Sequence, residues 1–179
     1  MTSLYRVDGT ALISVPRKRL DKEDDLRRWI SENPRLIGLD VLVLGREVTT
    51  ISGRIDILAL DSEGNVIVIE CKRDRTPRDV IAQILDYASW VNKLSASELE
   101  RIALEKTTKQ LGQLFKEKYG APLPDILNSS HSLVIVSSEF DASSKRIVEY
   151  LAEVHGIAIN TVFLRLSSTI RKYSLPPSG

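Results

Sequence analysis

The stretch GRIDILALDSEGNVIVIECKR, residues 53–73, holds two apolar runs, Ile55 to Leu60 and Val66 to Cys71, around Asp61-Ser62-Glu63-Gly64-Asn65. Turn-forming residues between β-branched runs predict a hairpin. A three-residue loop, Ser62-Glu63-Gly64, suits it, because Gly64 supplies the left-handed residue that such loops need. The loop then closes on Asp61 and Asn65, and counting back sets Asp56 opposite Glu70. Directly opposed residues share a sheet face, with β-carbons about 4.5–5.5 Å apart. Lys72, two residues beyond Glu70, joins them on that face. A two-residue loop, Glu63-Gly64, would instead set Cys71 opposite Asp56 and send Glu70 to the other face. The longer loop is the expected one, since it keeps together two acids that are hard to bury alone.

Facing carboxylates repel at that distance, so a positive charge must sit between them or one must hold a proton. Lys72 supplies part of that charge, and a divalent cation would complete it. Magnesium favours one or two carboxylates with water and substrate phosphates over an all-protein cage. Two acids and a lysine in a tight cluster therefore point to metal-assisted phosphodiester hydrolysis.

Asp56 followed by Glu70-Cys71-Lys72 at the end of an apolar strand resembles the Asp…Glu-x-Lys core of the PD-(D/E)XK nuclease superfamily. The wider stretch is similar to the nuclease domain of NucS/EndoMS-type DNA endonucleases and their uncharacterised relatives. The proline of the superfamily name is Ile55 here, a departure that removes no ligand. The resemblance implies a restriction-endonuclease-like α/β fold, a central mixed β-sheet flanked by α-helices. It also implies a DNA endonuclease using Mg2+ or Mn2+, acting in DNA repair or defence.

The chain has 179 residues and a formal net charge of +1 at pH 7. That length suits one domain, expected over 1–173 with its motif core at 20–92 and a loose tail at 174–179. The single cysteine excludes a disulfide framework and a cysteine-based zinc site. It suits a reducing, cytoplasmic setting. No apolar run approaches the ~20 residues that span a bilayer, and no signal-peptide pattern opens the chain. Near-neutral charge does not announce a nucleic-acid partner, although positive charge can be concentrated around one cleft.

A short hairpin, Leu4 to Val7 and Ala11 to Val15, is expected at Asp8-Gly9. The basic run Arg17-Lys18-Arg19 reads as a solvated linker. A helix follows, capped by Asp21, with Leu26, Trp29 and Ile30 on its buried face and its end at Asn33-Pro34. Glu23, Asp24 and Asp25 suit its first turn as helix-dipole partners. Glu23 also falls on the inward stripe. With Asn33-Pro34 behind it, this stretch resembles the nuclease family's first motif, in which a helical glutamate leans toward the metal site. The resemblance makes Glu23 the third carboxylate, holding a second ion or a water beside Asp56 and Glu70.

Val41 to Leu44 and Glu47 to Ile51 read as two strands around Gly45. Arg54 shares the face of Asp56 and would hold an acid or a phosphate. Thr76-Pro77 reads as a helix start, cap and first position. Gln83 and Tyr87, four apart on that helix, resemble the helix motif of RecB-like and NucS-like nucleases, which supports the active site or touches DNA. Arg73, Arg75 and Arg78 cluster with Lys72 where strand meets helix, a place suited to DNA phosphates. Ser97 to Tyr119 reads as one long helix ended by Gly120. Ser132 to Ser137, Ala142 to His155 and Ile157 to Leu166 read as strand, helix and strand extending the sheet. His131, His155 and Cys71 read as structural.

The expected chemistry is hydrolysis of DNA, with Asp56 and Glu70 holding the metal and Lys72 orienting water and stabilising charge on the phosphate. Double-strand cleavage would favour a homodimer. The competing readings are a silent DNA-binding or subunit-interaction module of the same fold, and a nuclease acting on RNA or branched junctions.

Overall fold

The computed structural model describes residues 5–8, 10–15, 22–76 and 78–164. Contacts group the chain as two units, Met1–Asp21 with Arg165–Gly179, and Lys22–Leu164. The sequence reading did not draw that division. In the first unit, strands β1 (Tyr5–Asp8) and β2 (Ala11–Ser14) pair antiparallel, with Asp8 opposite Ala11. Gly9, the run Arg17-Lys18-Arg19 and the expected tail lie outside the described residues.

The second unit is built on a five-stranded sheet of order β3-β4-β5-β6-β7. Its members are β3 (Leu42–Thr49), β4 (Arg54–Leu60), β5 (Val66–Thr76), β6 (His131–Phe140) and β7 (Ile159–Phe163). The first three strands are antiparallel, and β6 and β7 continue in parallel. The sheet is thus mixed and flanked by helices, as expected. Helix α5 (Ala142–Glu153) supplies the crossover that a parallel β6–β7 pair requires.

In β4 and β5, Leu58, Leu60, Val66 and Val68 enter one apolar cluster with helices α2 (Asp79–Val91), α3 (Ala96–Thr107) and α4 (Leu111–Tyr119). Ile57, Ala59, Ile67, Ile69 and Cys71, the alternate residues, are buried as well. A sheet covered on both faces needs the near-continuous apolar runs seen in the sequence. Asp56 and Glu70 continue the row of Leu58 and Val68.

Four local expectations need correction. The strands expected on either side of Gly45 are one strand, with a register irregularity between Val43 and Gly45. Glycine serves close approach here, since a β-carbon on Gly45 would lie 2.7 Å from Cγ of Lys106 on α3. Helix α1 (Glu23–Glu32) has Lys22 at its N-cap, and Asp21 lies outside the described residues.

The start expected at Thr76-Pro77 falls later, at Asp79 with Arg78 as N-cap, because β5 stays paired with β6 as far as Thr76–Phe140. Pro77 lies outside the described residues. The single helix expected over 97–119 is the pair α3 and α4, broken at Thr108 with φ 61°. On one straight helix Leu111 would sit about 180° round from Ile102. The break lets both be buried in the same cluster.

Candidate active site

The central hairpin has the three-residue loop. Asp61 N–H donates to the Asn65 carbonyl at 3.0 Å, and Gly64 has φ +81°. The pairs Leu60–Val66, Leu58–Val68 and Ile57–Ile69 set the register. Continued by one residue, that register brings Asp56 level with Glu70.

Asp56 and Glu70 are 6% and 1% exposed, the only buried acids among the described residues. Asp56 Oδ2 accepts the Cys71 backbone N–H at 2.8 Å, and Oδ1 accepts from Arg27 Nη1 at 3.0 Å. Glu70 Oε1 accepts from Lys72 Nζ at 2.7 Å, while Oε2 is buried without a hydrogen-bond partner. Burial and the Asp56 charge push the Glu70 carboxyl up to about 7, against the pull of Lys72. Burial also raises Asp56, although the Cys71 N–H and Arg27 favour its charged form. Burial works against the Lys72 ammonium, but Glu70, Glu23 and Asp56 together raise it above its ordinary value.

Helix α1 brings two side chains to this cluster, and the sequence reading named one. Glu23 Oε2 accepts the Arg73 backbone N–H at 3.0 Å, across the end of β5. Asp24 lies 3.7 Å from Arg27 and is largely exposed, and Asp25 pairs with Arg28 at 3.1 Å. Among the described residues, no three Asp, Glu, His or Cys side chains lie close enough to share an ion. Glu23 is therefore not gathered with Asp56 and Glu70 around one point.

Arg27 is one of two residues that the sequence did not mark out. It lies four positions after Glu23 and hence on the same helical face, the one signal that pointed to it. Glu47 was missed too. Arg46–Ile57 and Val48–Ile55 pair on either side of it, so Glu47 stands level with Asp56 on the adjoining strand. Its carboxylate lies 3.9 Å from Arg27 Nη1 and 3.4 Å from Arg54 Nη1.

Gln83 and Tyr87 are together. Gln83 Nε2 donates to the Tyr87 hydroxyl at 2.9 Å, which donates to the Arg54 carbonyl at 2.8 Å. These bonds hold the start of β4 and do not run to Lys72. Gly53 is needed there, since its β-carbon would lie 2.9 Å from the Tyr87 hydroxyl. The Arg54 side chain is largely exposed, and Arg78 is exposed at the start of α2. Arg73 is half-buried, and the Arg75 side chain lies outside the described residues.

The donor set fits a small divalent cation. Two adjacent carboxylates, one with a buried oxygen that no group among the described residues satisfies, match the one or two carboxylates that magnesium takes. A cation there would also offset the burial and the Asp56 repulsion that together hold the Glu70 carboxyl high.

Residues 22–119, more than half of the chain and all of this cluster, match the family described as the endonuclease NucS C-terminal domain. The chain belongs to that family. Endonuclease NucS of Aeropyrum pernix is 36% identical over 66 residues, covering 36% of this chain and 25% of that protein. The Methanopyrus kandleri protein of the same name is 29% identical over 98 residues, 55% of this chain and 38% of its own length. The chain thus spans well under half the length of these curated relatives. Among solved structures, a repair endonuclease from Pyrococcus abyssi has a TM-score of 0.49 and 20% identity, over 83% of this chain and 49% of that one. EndoMS in complex with double-stranded DNA has a TM-score of 0.48 and 18% identity, over 90% and 65%.

Proposed function

We propose that this chain is a PD-(D/E)XK-type nuclease that hydrolyses DNA phosphodiester bonds with Mg2+ or Mn2+, in DNA repair or defence, in the cytoplasm. The observation that carries it is the buried, unpartnered Oε2 of Glu70 beside Asp56, with Lys72 in contact. Membership of the NucS C-terminal domain family supports the nuclease class.

Asp56 and Glu70 would hold the cation. When bound, it polarises a phosphoryl oxygen and lowers the pKa of water. Lys72 hydrogen-bonds Glu70 on one side and presents its ammonium to the attacking water and to charge developing on the phosphate. Glu23 fixes the end of β5 through the Arg73 N–H and would hold a second ion or a water. Gln83 and Tyr87 fix the start of β4, and with it Asp56, two residues on. Arg54, Arg73, Arg75 and Arg78 position the DNA backbone. Cleavage of both strands would be carried out by a homodimer with two sites.

One observation favours the second reading, a silent DNA-binding or subunit-interaction module. Arg27 already neutralises Asp56, as a permanently installed charge would in a site without metal.

The test is a cleavage panel on duplex, single-stranded, mismatched and branched DNA, and on RNA, with magnesium and with manganese. Wild type cuts at least one DNA substrate, and Asp56→Asn and Lys72→Ala each lower the rate by orders of magnitude. Wild type that binds DNA but cuts nothing with either metal supports the silent module. Cleavage of RNA alone moves the substrate class.

A further inference from the structure

Asp56 has two oxygens and both are engaged, one by the Cys71 backbone N–H and the other by Arg27. The backbone bond is part of the β4–β5 junction and stays. The guanidinium is the movable partner: its Nε is buried without an acceptor, so its present seat is not fully satisfied. Two further carboxylates lie beside it: the largely exposed Asp24, 3.7 Å from Nε, and Glu47, which stands level with Asp56 on the sheet. Glu47 Oε1 pairs with the largely exposed Arg54 at 3.4 Å and lies 3.9 Å from Arg27 Nη1, beyond hydrogen-bond length and within reach of a side-chain adjustment.

Glu47 holds that place by an uncommon backbone. It is a non-glycine residue at φ 49° inside a strand, level with Asp56, and its carbonyl accepts from Lys106 Nζ at 3.3 Å. Among the described residues only Thr108 and Asn128 share a positive φ without being glycine. Such a conformation persists where surrounding structure holds it.

We propose that Arg27 and Glu47 are positioning residues forming an internal exchange: Arg27 occupies Asp56 Oδ1 in the metal-free protein and passes to Glu47 when a divalent cation takes that oxygen. This rests on the reading that Asp56 and Glu70 hold the cation. Arg27 is then a built-in competitor, and Glu47 is the acceptor that allows it to leave. Removing the competitor tightens cation binding, and removing the acceptor weakens it only while the competitor is present.

The test is manganese affinity by calorimetry on the full chain, for wild type, Arg27→Gln, Glu47→Gln, the double variant and Asp56→Asn. Arg27→Gln is expected to bind manganese roughly tenfold more tightly than wild type, the scale of a modest coupling between sites. Glu47→Gln binds several-fold more weakly in the wild-type background and little differently in the Arg27→Gln background. A simple loss of charge would instead give the same Glu47→Gln effect in both backgrounds, and that additivity overturns the exchange. Unchanged affinity in Arg27→Gln overturns it as well. Should Arg27→Gln fail to fold, Arg27→Met takes its place in the same cycle, and unaltered affinity in Glu47→Gln overturns the acceptor role by itself. Asp56→Asn that binds manganese like wild type overturns the metal reading itself, as does wild type and Arg27→Gln both binding none.

Discussion

Glu70 concentrates the tension in this site. It is buried, one oxygen is held by Lys72 and the other has no partner, and burial with the Asp56 charge pushes its carboxyl from an ordinary 4.5 to about 7. Between those values the folded protein binds more protons at Glu70 than the unfolded chain does, so stability falls as pH rises. The contribution is complete below about pH 4.5 and lost as pH climbs through about 7. That amounts to on the order of 3 kcal/mol across the window. Asp56 shifts the same way, which adds to the slope. Chemical denaturation in chelator at pH 5 and pH 8 measures this directly. Wild type should be the less stable at pH 8, and Glu70→Gln should lose most of the difference. A variant with an undiminished pH dependence would contradict a strained Glu70.

The hairpin that carries these acids depends on one glycine. Gly64 sits at φ +81°, and a β-carbon there would come within 2.7 Å of Cδ2 of Leu127. Gly64→Ala combines left-handed strain of about 1–2 kcal/mol with that clash. Its denaturation midpoint should therefore fall clearly, whereas Gly112→Ala, with nothing within 4 Å, should leave stability unchanged or raised. Equal midpoints would contradict the loop. This hairpin was legible in the sequence because its information is local: a glycine turn, two alternating runs and a short count from one to the other.

Elsewhere distant contacts overrode local signals. Thr76-Pro77 has the form of a helix start, yet pairing with β6 keeps Thr76 in a strand. The break at Thr108 was readable from the opposed directions of Ile102 and Leu111, which one helix cannot bury together. The Arg27–Asp56 pair joins residues 29 apart, and only the docking of α1 on the sheet brings them into contact. Glu47 is more hidden still, since its place depends on a positive φ in mid-strand.

Over the whole molecule, chemistry and packing divide along the strands. The apolar cluster takes in α2, α3, α4 and α5 with the sheet, while the acids lie where β4 begins and β5 runs on beyond the hairpin. Among the described residues no helix is long and apolar enough to cross a membrane. The NucS C-terminal domain match ends at residue 119, so β6, α5 and β7 lie beyond it while completing the same sheet. The ion-binding place proposed for this architecture is at the acids. The most direct measurement is anomalous diffraction from manganese-soaked crystals of the full chain. The strongest anomalous peak should stand between Asp56 and Glu70, in contact with both carboxylates and with Arg27 withdrawn from Asp56. A map with no peak there, or with Arg27 still on Asp56 and manganese bound only elsewhere, would contradict a metal site on these two acids.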